Sequence, residues 1–199
     1  TRTPTPTPTR APTPTISTGV WVTLRLEERS STLTTLKFWW TEEHAYGLVK
    51  FDVYRCEGLF CIPNAIVGSV ITDAYGNGTF IDNNIRNNVT YFYQVKARIG
   101  QLIARSNIEQ VNTPPKAPVF TSVTTSCPAK VTLDWGSVPG AVRYDVFRCD
   151  GIDCRYGQYF KISSPTNTIF VDNDPDMEGN IENTYYVQAY NGFELWSDK

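Results

Sequence analysis

The sequence has few of the residues that catalytic centres most often use. It contains one histidine, His44, so a Ser-His-Asp or Cys-His arrangement would have to be built around that side chain. No G-x-S-x-G elbow, H-E-x-x-H helix or phosphate-binding glycine loop accompanies it. Glu42 and Glu43 precede it in a loop-like stretch, where adjacent carboxylates are ordinarily solvated rather than held in a cleft. We therefore expect a surface histidine and no enzymatic activity.

Excess positive charge and long apolar runs are also missing. The 18 Lys and Arg against 20 Asp and Glu give a net charge of −2, which offers no basic surface for nucleic acid or anionic lipid. No run approaches the roughly 20 apolar residues that a membrane-spanning helix needs. The sequence starts at Thr1 without an apolar signal region, which indicates a processed or excised piece of a longer precursor.

The five cysteines form two local pairs and one remainder. Cys56 and Cys61 have C-x4-C spacing, and Cys149 and Cys154 repeat it. Such pairs suit disulfides that close a tight loop in an oxidising compartment, each worth about 2 kcal/mol. A four-thiolate metal site is the alternative, but the C-x2-C spacing is absent and the pairs lie in separate repeats. Cys127 is left either as a buried thiol or as an intermolecular bridge.

Residues 1–15, TRTPTPTPTRAPTPT, alternate Thr and Pro. Because proline removes backbone donors and fixes φ, the stretch cannot enter a helix or the interior of a sheet. We expect an extended, polyproline-like stalk over residues 1–16, serving either as an inert linker or as a carrier of O-glycans. The candidate O-glycan acceptors are Thr3, Thr5, Thr7, Thr9 and Thr13, and N-G-T and N-V-T make Asn77 and Asn88 candidate N-glycan acceptors.

Beyond the stalk the sequence is duplicated. FDVYRCEGLFC at 51–61 reappears as YDVFRCDGIDC at 144–154, and TFIDN at 79–83 reappears as IFVDN at 169–173. A repeat this long indicates domain duplication rather than a solenoid. We therefore expect domains at 17–113 and 114–199, with a hinge at PPKAP, 114–118.

Both copies have the pattern of β-strands. Leu36, Phe38 and Trp40 alternate with polar or outward residues, and 131–135 repeat this pattern. Turn-forming clusters follow at short intervals, and no helical stripe of ten residues is present. The sequence predicts an all-β sandwich in each copy, with 20–26 as the first strand of the first copy.

Residues 17–199 resemble fibronectin type III domains. The motifs are V-T-L-D-W at 131–135, GAVRYDVFR at 140–148 and Y-Y-V-Q-A at 185–189, together with V-T-Y-F-Y-Q-V-K-A at 89–97. The resemblance implies two tandem sandwiches of a fold used mostly as a spacer, adhesion or binding module. It also implies a corner hydrogen bond from Tyr91, whose position holds Asn183 in the second copy. The C-x4-C pairs are unusual for this family, and we expect them to clip the hairpin after the third strand.

One acidic run is a candidate calcium site. Asp172, Asp174 and Asp176 place oxygen ligands at alternate positions, as in the opening of an EF-hand loop. Met177 stands where the turn glycine belongs, however, and Asn183 stands where the bidentate Glu belongs. A solvated acidic turn is the alternative, and apart from this candidate we expect no cofactor.

The last strand of the second copy is shorter than that of the first. The sequence QLIARSNIEQVNT at 101–113 gives a full strand, whereas the second copy reaches Lys199 near the position of Asn107. A short edge exposes backbone and core that another chain's strand can cover.

This edge favours an extracellular or cell-surface subunit of a filament or layer, in which the N-terminal segment of one copy packs on the next copy's second domain. One alternative is a spacer or carbohydrate-binding accessory module of a secreted enzyme. Trp21, Trp39 and Trp196 either form an outward sticky surface or pack within the domain pair. The other alternative is a monomeric adhesin.

Overall fold

The structure, a computed structural model, describes residues 21–41, 48–99, 102–127, 129–151, 154, 158–175, 182–193 and 195–198. These residues fold almost entirely into antiparallel β-strands, which confirms the predicted all-β class. In these ranges no helix has the length and apolar character to cross a membrane. The stalk at 1–16 lies outside the described residues.

Fifteen strands follow one another along the chain. The first eight are β1 (Trp21–Arg29), β2 (Thr34–Thr41), β3 (Lys50–Glu57), β4 (Ala65–Ile71), β5 (Asn77–Asp82), β6 (Thr90–Ile99), β7 (Leu102–Arg105) and β8 (Glu109–Asn112). The other seven are β9 (Phe120–Ser126), β10 (Lys130–Trp135), β11 (Ala141–Asp150), β12 (Phe160–Ser163), β13 (Ile169–Asp172), β14 (Asn183–Asn191) and β15 (Leu195–Trp196).

The strands form two similar pairs of sheets. In the first unit, β1 to β8, one sheet has the order β1-β2-β5 and the other has the order β4-β3-β6-β7, with β8 also paired to β6. In the second unit, β9 to β15, the orders are β9-β10-β13 and β12-β11-β14-β15. The repeated strand order is the structural form of the repeat seen in the sequence.

Each unit encloses its own hydrophobic core between its two sheets. In the first unit the rings of Phe38 and Phe51, from opposite sheets, lie 5.1 Å apart. In the second, the rings of Trp135 and Tyr144 lie 5.5 Å apart. The predicted alternation is confirmed at every position named for it, because the side chains of Leu36, Phe38, Trp40, Val131, Leu133 and Trp135 are all buried.

The last strand of the first unit differs from the prediction. The stretch 101–113 holds two short strands, β7 and β8, separated at Ser106. The Ser106 hydroxyl accepts a hydrogen bond from the Val95 N–H at 3.0 Å, and the Gln94 side chain donates to the Ser106 carbonyl at 2.8 Å. Ser197 makes the same two contacts with Ala189 and Gln188 in the second unit. In both units a serine hydroxyl thus accepts the hydrogen bond that a backbone carbonyl would accept in a regular antiparallel pair, and the strand is interrupted there.

Candidate functional site

Several residues that the sequence put forward for chemistry cannot be placed. His44, Glu42 and Glu43 lie outside the described residues, as do Asp176 and Met177. Across the described ranges, no three His, Cys, Asp or Glu side chains come together in an arrangement that could hold a metal ion. The calcium site and the absence of enzymatic activity therefore stay predictions.

A buried ion pair with a tyrosine occupies one end of the first unit's core. Arg55 Nη1 lies 2.7 Å from Asp82 Oδ2, and the Tyr93 hydroxyl donates to the same oxygen at 2.9 Å. Burial raises the pKa of Tyr93, and the neighbouring Asp82 carboxylate raises it further. Burial alone would lower the pKa of Arg55, but its contacts with Asp82 raise it overall. The group holds the two sheets together and keeps its charges paired.

The second unit repeats this group with more acids. Arg148 contacts Asp172 at 2.9 Å and Asp174 at 3.1 Å, and the Tyr185 hydroxyl donates to Asp172 at 2.9 Å. Two of the three candidate calcium ligands are thus arranged around a guanidinium. Burial raises the pKa of Tyr185, and the Asp172 carboxylate adds to that shift. Arg148, at the position of Arg55, is a structural cation that the sequence analysis missed, although the repeat of R-C in both copies marks it.

The two cysteine pairs are bonded as predicted. Cys56 is joined to Cys61 and Cys149 to Cys154. Cys56 and Cys149 lie near the ends of β3 and β11, so each bond clips the loop after the third main strand of its unit. The expectation of a buried thiol at Cys127 is wrong, because Cys127 is exposed in the turn after β9.

The corner tyrosine is confirmed in the first unit. The Tyr91 hydroxyl accepts a hydrogen bond from the Arg86 N–H at 2.9 Å, across five residues of the preceding turn. At the matching place in the second unit, Asn183 begins β14. The two candidate N-glycan acceptors differ in their surroundings, since Asn77 is exposed and Asn88 is half-buried.

The outer face of the β12-β11-β14-β15 sheet is aromatic. Trp196 is 43% exposed, lies 4.9 Å from the Tyr190 ring and donates its indole N–H to Asp145 at 3.0 Å. Arg143 covers the Tyr190 ring at 3.6 Å. These contacts fasten the two-residue strand β15 to its sheet. Trp39 is also partly exposed, and it lies on β2 in the β1-β2-β5 sheet of the first unit. The Trp21 side chain lies outside the described residues.

The first unit is closed where its first and last strands meet. The Asn107 side chain accepts from the Leu24 N–H at 2.8 Å and donates to the Leu24 carbonyl at 3.0 Å. Glu109 accepts from the Leu26 N–H at 3.2 Å. Val111 of β8 is buried in the core, and the Leu24 side chain beside it is 1% exposed. The β8 strand and the Asn107 amide together seal this edge of the sandwich.

The second unit is open at the corresponding place. Leu26 pairs with Leu36, and Val123 pairs with Leu133. Leu36 and Leu133 pair in turn with Phe80 and Phe170, which are the same position of the repeated sequence, so Leu26 and Val123 match. Leu26 is partly buried against the core of the first unit. The Val123 side chain is nevertheless 54% exposed, and all seven residues of β9 are exposed. Among the described residues, β15 pairs with β14 at Tyr190 and Asn191, and no strand takes the place of β8. We call the groove between β9 and the first half of β14 the open edge.

Comparisons with known proteins identify no family. No protein-family model and no curated protein matches the chain. Among solved structures, the chain is similar to the FN1-FN3 domains of chicken CNTN1, with 15% sequence identity and a TM-score of 0.35. The match covers 88% of this chain and 62% of that chain, which is less than two thirds of its length. The β-sandwich architecture of each unit rests on its own strand order and core.

Proposed function

We propose that this chain is a non-catalytic structural subunit of an extracellular filament or surface layer, with domains at 17–113 and 114–199. In the assembly, the N-terminal segment of one copy docks as a strand in the open edge of the next copy. The observation that carries the proposal is the exposure of Val123, which is 54% exposed, whereas Leu26 at the matching position is partly buried against the core. A strand in the place of β8 would cover Val123, since β8 lies beside Leu26 in the first unit, where Glu109 accepts from the Leu26 N–H.

Charge supports the choice of the N-terminal segment as the occupant. Residues 1–16 contain two arginines, Arg2 and Arg10, and no acid. Residues 114–199 contain 11 acidic and seven basic residues, so the second unit is negative. Opposite net charges favour encounter between the segment and the second unit over encounter between two second units.

The alternation of Thr and Pro suits an edge strand. In an extended chain, both the side chains and the N–H groups alternate with a period of two. Every proline of 3–9 therefore turns its ring to one face and its missing N–H to one edge, while every threonine N–H points to the other edge. When the proline rings face the open edge, one of the two strand directions points the threonine N–H groups at the backbone of the acceptor. The outer edge of the added strand then carries only proline nitrogens, which cannot donate hydrogen bonds. Such a strand can pair with the acceptor on its inner side, but it offers no N–H donors to a further strand on its outer side.

The segment is long enough to reach a neighbour. The 20 residues before β1 span about 66 Å when extended. A donor at one end of the molecule and an acceptor in the other unit form a head-to-tail contact, which repeats into an open polymer unless it closes as a ring. The two disulfides agree with an oxidising, extracellular site of assembly.

Electron microscopy combined with sedimentation tests the proposal. We expect the full chain to assemble, and we expect both deletion of residues 1–16 and Val123→Asp to give monomers. Ile71→Asp is the matched control, because Ile71 is a comparably exposed β-branched residue on β4 of the first unit. Assembly by the Val123→Asp variant, or loss of assembly by Ile71→Asp alone, would show that the open edge is not the contact.

A second candidate function is that of a carbohydrate-binding accessory module, favoured by the aromatic sheet face around Trp196 and Tyr190. Exposed aromatic rings are common stacking partners of sugar rings. A glycan array probed with the chain and with Trp196→Ala distinguishes the two candidates. Binding that depends on Trp196 supports this function, and an array without signal rejects it.

A further inference from the structure

The two units meet at the side chain of Asn88, in the turn before β6. Its Oδ1 accepts a hydrogen bond from Asn191 Nδ2 at 3.0 Å. Asn191 is buried, and its own Oδ1 accepts from the N–H groups of Phe193 at 3.2 Å and Leu195 at 3.3 Å. These backbone donors fix the orientation of the Asn191 amide, so its nitrogen faces Asn88.

The amide nitrogen of Asn88 lies against Gly140. A Cβ added to Gly140 would stand 1.6 Å from Asn88 Nδ2, so only a glycine lets the amide approach this closely. Gly140 also has a φ of +76°, in the turn that the Ala141 N–H closes onto the Val138 carbonyl at 3.1 Å. Gly140 and Asn191 of the second unit therefore form a close-fitting contact site for the Asn88 side chain.

The turn that carries Asn88 is itself fixed to the junction between the units. Asn88 has a φ of +56°, a left-handed conformation that asparagine tolerates better than most residues. Its N–H donates to the Pro114 carbonyl at 3.0 Å, and the Val89 N–H donates to the Thr113 hydroxyl at 2.9 Å. Pro114 and Pro115 are buried, so the first part of the predicted hinge is packed. A hydrogen bond from Ser31 to Asp198 adds a further contact between the units.

We propose that Asn88 is the latch of the inter-unit joint, meaning the side chain that holds the two units in one fixed orientation. N-glycosylation of Asn88 would exclude that orientation. An oligosaccharyltransferase would move a glycan from a lipid-linked diphosphate donor to Asn88 Nδ2. The sugar C1–N bond forms, the C1–O bond to the diphosphate breaks, and the amide loses one proton. The nitrogen that would carry the sugar is the atom seated on Gly140, where even a methyl group has no space. This inference does not depend on the assembly proposed above.

The other acceptor sequence serves as an internal comparison. Asn77 is exposed at the start of the edge strand β5, and its Nδ2 donates to the Asp73 carboxylate at 3.1 and 3.3 Å. The strand partner of Asn77 is Trp39, a residue of the first unit. Asn77 is therefore the acceptor that a glycan can occupy without separating the units.

Residual dipolar couplings of the unglycosylated full chain, in the Val123→Asp background that should keep it monomeric, test the latch. We expect one alignment tensor to fit both units of the native chain, and two different tensors to be needed for Asn88→Gly. This substitution removes the amide but keeps a residue that adopts positive φ. Asn77→Gln, the matched control, should still fit one tensor. If Asn88→Gly also fits the native single tensor, Asn88 is not the latch.

The glycan is tested on chains secreted by a host that performs N-glycosylation. We expect peptide mass spectrometry to find the glycan mainly at Asn77. Chains glycosylated at Asn77 alone should fit a single tensor, and any fraction glycosylated at Asn88 should need two. A chain that carries a glycan at Asn88 and still fits the native single tensor overturns the exclusion.

Discussion

At the scale of single residues, each unit depends on one arginine that links its two sheets, half-buried in the case of Arg55 and buried in the case of Arg148. Arg55 has one carboxylate partner, Asp82, whereas Arg148 has three, Asp150, Asp172 and Asp174. A buried charge that loses its only partner is costly, while one that keeps other partners is less affected. The two copies therefore differ in how much they depend on a single acid.

We expect Asp82→Asn to lower the free energy of unfolding of the first unit by about 3 kcal/mol, because it leaves Arg55 without its counter-charge. Asp172→Asn should cost the second unit less, since Arg148 still contacts Asp150 at 2.6 Å and Asp174 at 3.1 Å. Denaturant unfolding of the full chain measures both. Equal losses, or a larger loss for Asp172→Asn, would contradict this account.

Asp145 should make the second unit sensitive to acid. Burial favours its neutral form, but hydrogen bonds from Trp196, Ser164 and Arg143 outweigh burial and lower the pKa of the carboxyl. A carboxyl whose pKa is lower in the folded state stabilises the fold above its unfolded pKa of about 3.9, and the stabilisation is lost as pH falls through the folded value. The thermal midpoint of the native chain should therefore drop more between about pH 6 and pH 3 than that of Asp145→Asn. If the thermal midpoints of the two chains fall equally over this pH range, Asp145 is not the source of the acid sensitivity.

Local spacing predicted some of these residues and missed others. Cys56 and Cys61 are close in sequence, so their pairing needs no knowledge of the fold. The Tyr91 corner was expected from the resemblance to fibronectin type III domains rather than from spacing. The contact between Asn88 and Asn191 joins residues 103 positions apart, so no local sequence pattern predicts it. The structure rules out the buried alternative for Cys127, since burial there depends on what covers β9.

At the scale of elements, the alternating apolar residues predicted the strands of both cores. The same alternation could not predict the break between β7 and β8, because it arises from the Ser106 hydroxyl accepting from a strand 11 residues away. Alternation also does not show whether a strand face is covered. Leu26 and Val123 occupy matching strand positions, yet the first is partly buried against the core and the second is 54% exposed.

We expect Leu24→Ala to destabilise the first unit by about 3 kcal/mol, as large-to-small changes in a packed core do. Val123→Ala should change the stability of the unassembled chain by no more than about 0.5 kcal/mol, since more than half of that side chain is already exposed. Thermal or denaturant unfolding of monomeric chain, prepared at low concentration, measures the difference. A cost for Val123→Ala close to that for Leu24→Ala would show that β9 is covered within the chain itself.

At the scale of the whole molecule, the described residues form two similar sandwiches joined by a packed junction. The first unit uses β8 and Asn107 to seal its edge, and the described part of the second unit has neither feature. A fixed joint at Asn88 would hold donor and acceptor at a constant angle, which a regular polymer requires. The duplication and the shorter last strand were visible in the sequence, whereas the joint and the exposure of β9 needed the structure.

Nuclear magnetic resonance with a peptide of residues 1–20 tests the central claim most directly. The peptide is added to isotopically labelled chain that lacks residues 1–20, and the amide shifts are followed residue by residue. We predict saturable binding, with the largest shifts in β9 and the first half of β14 and none in the first unit. Absence of binding, or shifts centred on the aromatic face around Trp196, would contradict strand docking at the open edge.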